Sequence, residues 1–140
     1  MPEINFFTEN ISYNLKDKRL NRFWLNQVIY NEGFKSGIIN FIFCNDEYLY
    51  KLNVEYLEHD TLTDIITFSF TEKGGPISGD IYISKERAKE NAKAYGQRLD
   101  EEIRRLLVHG VLHLLGYKDK TKKDKNLMTS KEDYYLSLHP

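Results

Sequence analysis

The spacing of apolar positions changes along the chain, and each change marks an element. From Lys18, the residues Leu20, Phe23, Trp24, Val28 and Ile29 recur at helical spacing, and Gly33 closes the pattern. Ile4 to Phe7 reads as a short strand, and the β-branched and aromatic run from Gly37 to Cys44 as a longer one. Asn45 or Asp46 can cap a second helix carrying Tyr48, Leu49, Leu52 and Tyr56. Thr63 to Phe70 and Ile77 to Ser84 read as strands flanking the turn Gly74-Gly75-Pro76, which predicts a hairpin. Ser84 then caps a helix from Lys85 to Tyr95, ended by Gly96. Asp100 can cap the next helix, with Glu101 and Glu102 in its first turn, where acids suit the helix dipole. That helix carries Ile103, Leu106, Leu107, Val108, Val111, Leu112, Leu114 and Leu115 before Gly116. Its second half is apolar nearly all round, which predicts burial. A lysine-rich loop over Lys118 to Lys125 and a last helix over Ser130 to Leu138 complete the pattern. Strands and helices intermixed around an antiparallel pair predict an α+β fold, a mixed sheet of about four strands with helices packed on it.

Composition adds little that discriminates. The 140 residues fit one compact domain over 1–140. Apolar residues at 41% suffice for a core, and charged residues at 29% for a solvated surface. A net charge of -1 leaves a nucleic-acid partner open, because a basic face can hide within a neutral total. The single cysteine, Cys44, lies in an apolar run and reads as a core residue. The N-terminal residues lack a basic region followed by an apolar stretch, and no apolar run approaches the ~18 residues of a membrane helix. A cytoplasmic protein is the expectation.

The chemistry concentrates in Val108 to Asp119. His109 and His113 stand at i and i+4, so a helix stacks both imidazoles on one face, where they can bind one divalent metal ion. A helix supplies two ligands easily and a third rarely. Gly116 can adopt the left-handed conformation that reverses the chain, which would let Asp119 swing back to the same ion. Two imidazoles, a carboxylate and an open fourth position suit catalytic zinc. A single histidine on an apolar helix is more often a hydrogen-bonded core residue, but two unpaired imidazoles in an apolar half-helix would be costly. Gly110 also costs the helix ~1 kcal/mol against alanine, which is understandable if another backbone packs closely there. The spacing is shared with the HExxH helix of zincin-type peptidases, but Gly110 occupies the place of their glutamate base, so the peptidase reading loses its base. His59, in a polar turn, and His139, the penultimate residue, are weaker candidates.

At this point the chain resembles the YbeY family, bacterial metal-dependent endoribonucleases of ribosomal RNA maturation. The family helix HGxLHLxGYDH appears here as HGVLHLLGYKDK from His109 to Lys120. The segment LNxxYRxxDxxTDVLSF corresponds to Leu52 to Phe68, and GDIxIS to Gly79 to Ser84. Two departures stand out. The family's third histidine falls at position 119, where this chain has Asp119, preceded by Lys118 in place of an aspartate. The family's arginine in LNxxYR, implied to assist at the RNA phosphate, is Leu57.

The resemblance implies one zinc ion per chain on His109, His113 and Asp119, a zincin-like metal helix, and cleavage of single-stranded RNA. It also implies work at the 3' end of small-subunit ribosomal RNA and in ribosome quality control, with ribosomal RNA and the ribosome or its assembly factors as partners. Zinc-activated water or the RNA 2'-OH can serve as nucleophile, and no general base is assigned from sequence. RNA needs cationic contacts. Lys85, Lys89 and Lys93 stack on one helix face, and Lys118, Lys120, Lys122, Lys123 and Lys125 crowd the region beside Asp119. Of these, Lys85, Lys89, Lys118 and Lys120 are the candidates for RNA contact, although a charge run is ordinarily a solvated face. Asp64 and Asp80, each at or within an apolar strand, either serve strand ends or support the metal helix from behind. Two rivals stand beside the nuclease: a non-catalytic ribosome-assembly or RNA-binding module with a structural zinc, and a zinc hydrolase of another substrate.

Overall fold

A computed structural model describes residues 2–57 and 63–140. His59 and the 58–62 stretch of the second motif lie outside the described residues. The order is β1 (Glu3–Thr8), α1 (Lys18–Asn31), β2 (Ser36–Cys44), α2 (Asp46–Leu57), β3 (Ile65–Ser69), β4 (Ile77–Ser84), α3 (Lys85–Ala94), α4 (Leu99–Leu114) and α5 (Lys122–Ser137). The strands form one mixed sheet in the order β1-β2-β4-β3. β1 and β4 flank β2 in parallel, and the predicted hairpin pairs β3 with β4 antiparallel, Thr67 opposite Ile81.

Strand alternation divides the sheet into two faces. Ile39, Phe41, Phe43, Ile81 and Ile83 are buried with Leu107, Val111 and Leu112 of α4 and Leu25, Val28 and Ile29 of α1 in the main core. The opposite face carries a smaller cluster of Cys44, Leu49 and Ile66 beneath α2. Burial pushes the Cys44 thiol up to about 12, as befits a core residue rather than a nucleophile. The single-domain α+β architecture and the burial of the second half of α4 are as predicted.

Three local expectations are corrected. Arg98, not Asp100, is the N-cap of α4, and Asp100, Glu101 and Glu102 fill the first turn. The lysine-rich segment is not a loop throughout: Thr121 accepts from Asp124 N–H in a capping box, so α5 starts at Lys122. At Gly110 the close neighbour is a side chain rather than backbone. An added Cβ would meet Ile81 Cγ2 at 2.8 Å and Ile65 Cδ1 at 3.2 Å.

This contact sets α4 close against the sheet. Gly110→Ala is therefore expected to destabilise the protein by about 1–2 kcal/mol, overpacking strain outweighing the gain in helix propensity. Urea unfolding of the two proteins measures it, and a more stable variant would contradict the packing argument.

Candidate metal centre

His109 and His113 project from one face of α4 with ring centroids 4.6 Å apart. After the helix, Gly116 takes φ +109°, and the reversed chain brings Asp119 back over both rings. Asp119 Oδ2 lies 3.3 Å from His113 Nε2 and 3.6 Å from His109 Nε2. One ligand atom from each of the three residues falls within 4.8 Å of the others, so the trio could hold a metal ion.

The other ring nitrogens are already engaged. His113 Nδ1 lies 3.0 Å from the Tyr117 carbonyl, and His109 Nδ1 lies 2.5 Å from Glu132 Oε2. A carbonyl can only accept, so His113 carries its proton on Nδ1 and leaves the Nε2 lone pair facing Asp119. A carboxylate partner imposes the same tautomer on His109. Two Nε2 lone pairs beside a carboxylate make a donor set that suits a cation.

Glu132 is the functional residue that sequence reasoning missed. It is buried on α5 between Met128 and Tyr135, and Arg105 Nη1 donates to its Oε1 at 2.8 Å. Arg105 Nη2 also donates to Asp133 Oδ1 at 2.7 Å. A signal was present: positions 128, 132 and 135 form one helical stripe, and a carboxylate on a buried stripe requires a partner.

The electrostatics follow from this wiring. Burial alone would lower the His109 pKa, but the hydrogen bond and charge of Glu132, with Asp119 and Asp64 behind, raise it. Burial and the neighbouring His109 lower that of His113. In the metal-free protein the two rings therefore differ in proton affinity.

The trio opens on a cleft of about 570 Å³ whose lining includes Asn53, Asp64, Thr67, Glu102, Arg105 and Glu132. Burial raises the pKa of both Asp64 and Glu102, and the charge of Asp64 raises Glu102 further. Asp64 thus lies beside the metal trio, with Asn91 Nδ2 donating to its Oδ2 at 3.3 Å. The structure does not bring Asp80 there. Gly79 and Ile81 face α4, so Asp80 points to the opposite face, where Asn40 Nδ2 donates to its Oδ1 at 3.1 Å. Of the two roles open to Asp80, support of the α4 histidines is therefore corrected, and the hydrogen-bonding role within the sheet is the one present.

The lysines also separate. Lys85 Nζ sits 5.1 Å over the Tyr13 ring, and neither Lys85 nor Lys89 lines the cleft. Lys118 and Lys120 are exposed on either side of Asp119. Lys125 lines a smaller hollow with His109, Asp119 and Thr129. His139 is far from these groups in role: it accepts no part in the trio and instead pairs with Asn21 Oδ1 at 2.9 Å.

An α+β sheet carries a buried helix whose two histidines, with an aspartate from the following turn, form a group at an open cleft that could hold a metal ion. The family described as Endoribonuclease YbeY matches residues 3–139, and the chain belongs to that family. Proteins named Endoribonuclease YbeY from Christiangramia forsetii and Flavobacterium johnsoniae are each 49% identical to it. The first match covers 97% of this chain and 94% of the relative, the second 99% and 96%. A Porphyromonas gingivalis protein of the same name is 41% identical over 99% of this chain and 91% of its own. The solution structure of TM1509 from Thermotoga maritima superposes with a TM-score of 0.65 at 25% identity, covering 96% of this chain and 87% of that one.

Proposed function

We propose that this chain is a zinc-dependent endoribonuclease that cleaves single-stranded RNA and acts in ribosomal RNA processing. The observation carrying the metal part is that His109, His113 and Asp119 converge at an open cleft rather than within a closed site. Structural zinc sites are closed by four protein ligands, whereas catalytic ones keep a position open. The RNA part is supported by membership of the endoribonuclease family and by the names of its relatives.

A zinc ion held by the trio would supply Lewis acidity toward a phosphoryl oxygen and acidify water. The chain's own residues do the rest. Glu132 and the Tyr117 carbonyl fix the two imidazoles in orientation and tautomer. Lys118, Lys120 and Lys125 offer positive charge to an RNA strand at the Asp119 side of the cleft. Work on the 3' end of small-subunit ribosomal RNA, ribosome quality control, ribosomal partners and a cytoplasmic site belong to the same reading. No helix among the described residues is long and apolar enough to cross a membrane.

Elemental analysis of purified protein tests the ligand set. Wild type should carry about one zinc per chain, and Asp119→Ala should bind it at least about 10-fold more weakly, with Asp119→His restoring affinity. Full zinc occupancy and unchanged affinity in Asp119→Ala would remove Asp119 from the site.

A further inference from the structure

Glu32 occupies a position that local physics disfavours. It is the C-cap of α1, where the helix dipole repels a carboxylate, and the last turn of α1 holds no basic residue to offset it. Its side chain is only 11% exposed. The compensation comes from distant segments. Tyr117 Oη donates to Glu32 Oε1 at 2.6 Å, and Lys131 Nζ and Tyr135 Oη both donate to Oε2, Lys131 at 3.2 Å.

Those donors belong to the two segments that anchor the imidazoles. Tyr117 presents the carbonyl that accepts from His113 Nδ1, and Lys131 and Tyr135 flank Glu132, the partner of His109 Nδ1. The turn preceding Tyr117 is closed by its own backbone, Tyr117 N–H donating to the Leu112 carbonyl and Gly116 N–H to that of His113, and Leu115 and Tyr117 pack against the main core. The Tyr117 ring is further held by Glu32 at its hydroxyl and by Lys131, whose Nζ lies 5.6 Å from the ring centroid.

We infer that Glu32 is a positioning residue of the metal centre, setting the Tyr117 carbonyl, and through it His113, by gripping the Tyr117 hydroxyl while tying the α4–α5 turn to α5. The inference rests on the reading of His109, His113 and Asp119 as a metal site. It adds a residue remote in sequence that touches neither the ion nor the substrate.

The test is a double-mutant cycle on zinc affinity, measured by competition with a chromophoric chelator for wild type, Glu32→Gln, Tyr117→Phe and the double variant. Ile29→Val, a truncation of a fully buried apolar residue on the same helix, serves as the control for general loosening. Each single variant should weaken zinc binding about 10-fold, the size seen when support of a metal ligand is lost. The double variant should be no weaker than the weaker single one, because both changes break one link. Ile29→Val should lower the melting temperature while leaving zinc affinity within about twofold. The inference is overturned if Tyr117→Phe and Glu32→Gln bind zinc like wild type, if their effects add, or if Ile29→Val weakens binding equally. A wild type that binds no zinc would instead overturn the metal reading beneath it.

Discussion

Glu132→Ala is expected to destabilise the protein by about 3 kcal/mol and to weaken metal binding about 10- to 100-fold. Two effects combine. The Arg105 guanidinium loses its buried partner and, among the described residues, keeps only the ion pair with the exposed Asp133. His109 loses the acceptor that holds its ring and tautomer. Breaking a half-buried ion pair by removing one member leaves the other desolvated and uncompensated, and that cost exceeds the value of most surface pairs. Glu132→Gln preserves shape and one acceptor, so its stability loss should be smaller while the metal loss persists, since the carboxylate charge behind His109 is gone. Chemical denaturation with and without zinc separates the two losses. A Glu132→Ala protein as stable as wild type, with unaltered zinc affinity, would show that the buried carboxylate supports nothing.

His113→Ala should have the largest effect on the metal itself. It removes one of the three proposed ligands and would leave His109 and Asp119 as a two-ligand site. Affinity should fall by more than about 100-fold, beyond the range for loss of an outer partner. The apo protein should lose less than most core truncations cost, because His113 is partly exposed at the cleft and its side chain is not in the apolar core. Chelator competition and thermal melting of the apo form check the two halves. Zinc binding at wild-type strength would place the ion elsewhere.

Much of this centre is legible in the sequence because helical geometry is local. The i, i+4 pair of His109 and His113 needs only the turn of one helix, and Gly116 announces the reversal that returns Asp119. The hairpin of β3 and β4 is likewise a short-range feature. The placement of β2 between β1 and β4 is not, because parallel neighbours are chosen by packing between segments far apart in the chain. The start of α5 was hidden for another reason. Lys122 to Asn126 shows no apolar stripe, and only the Thr121–Asp124 capping box reveals it. Asp80 could have been set aside by strand period alone, since it alternates with the Gly79 and Ile81 that face α4. Glu32 and Glu132 lie beyond such reasoning as partners, though not as anomalies. Each is a carboxylate where its helix favours something else, one against the dipole and one on a buried stripe.

The substitution at position 119 also gains a physical account. The carboxylate oxygen reaches both Nε2 atoms from the turn after α4, so an aspartate there closes the donor set without a third imidazole. The lysines on either side of it place positive charge at the same end of the cleft.

The most direct test of the account is cleavage of a fluorescent single-stranded RNA by zinc-loaded wild type beside His113→Ala purified identically. Cleavage by wild type, slowed at least about 100-fold in the variant, is the predicted result. Equal cleavage by both proteins, or none by the fully zinc-loaded wild type, would contradict it.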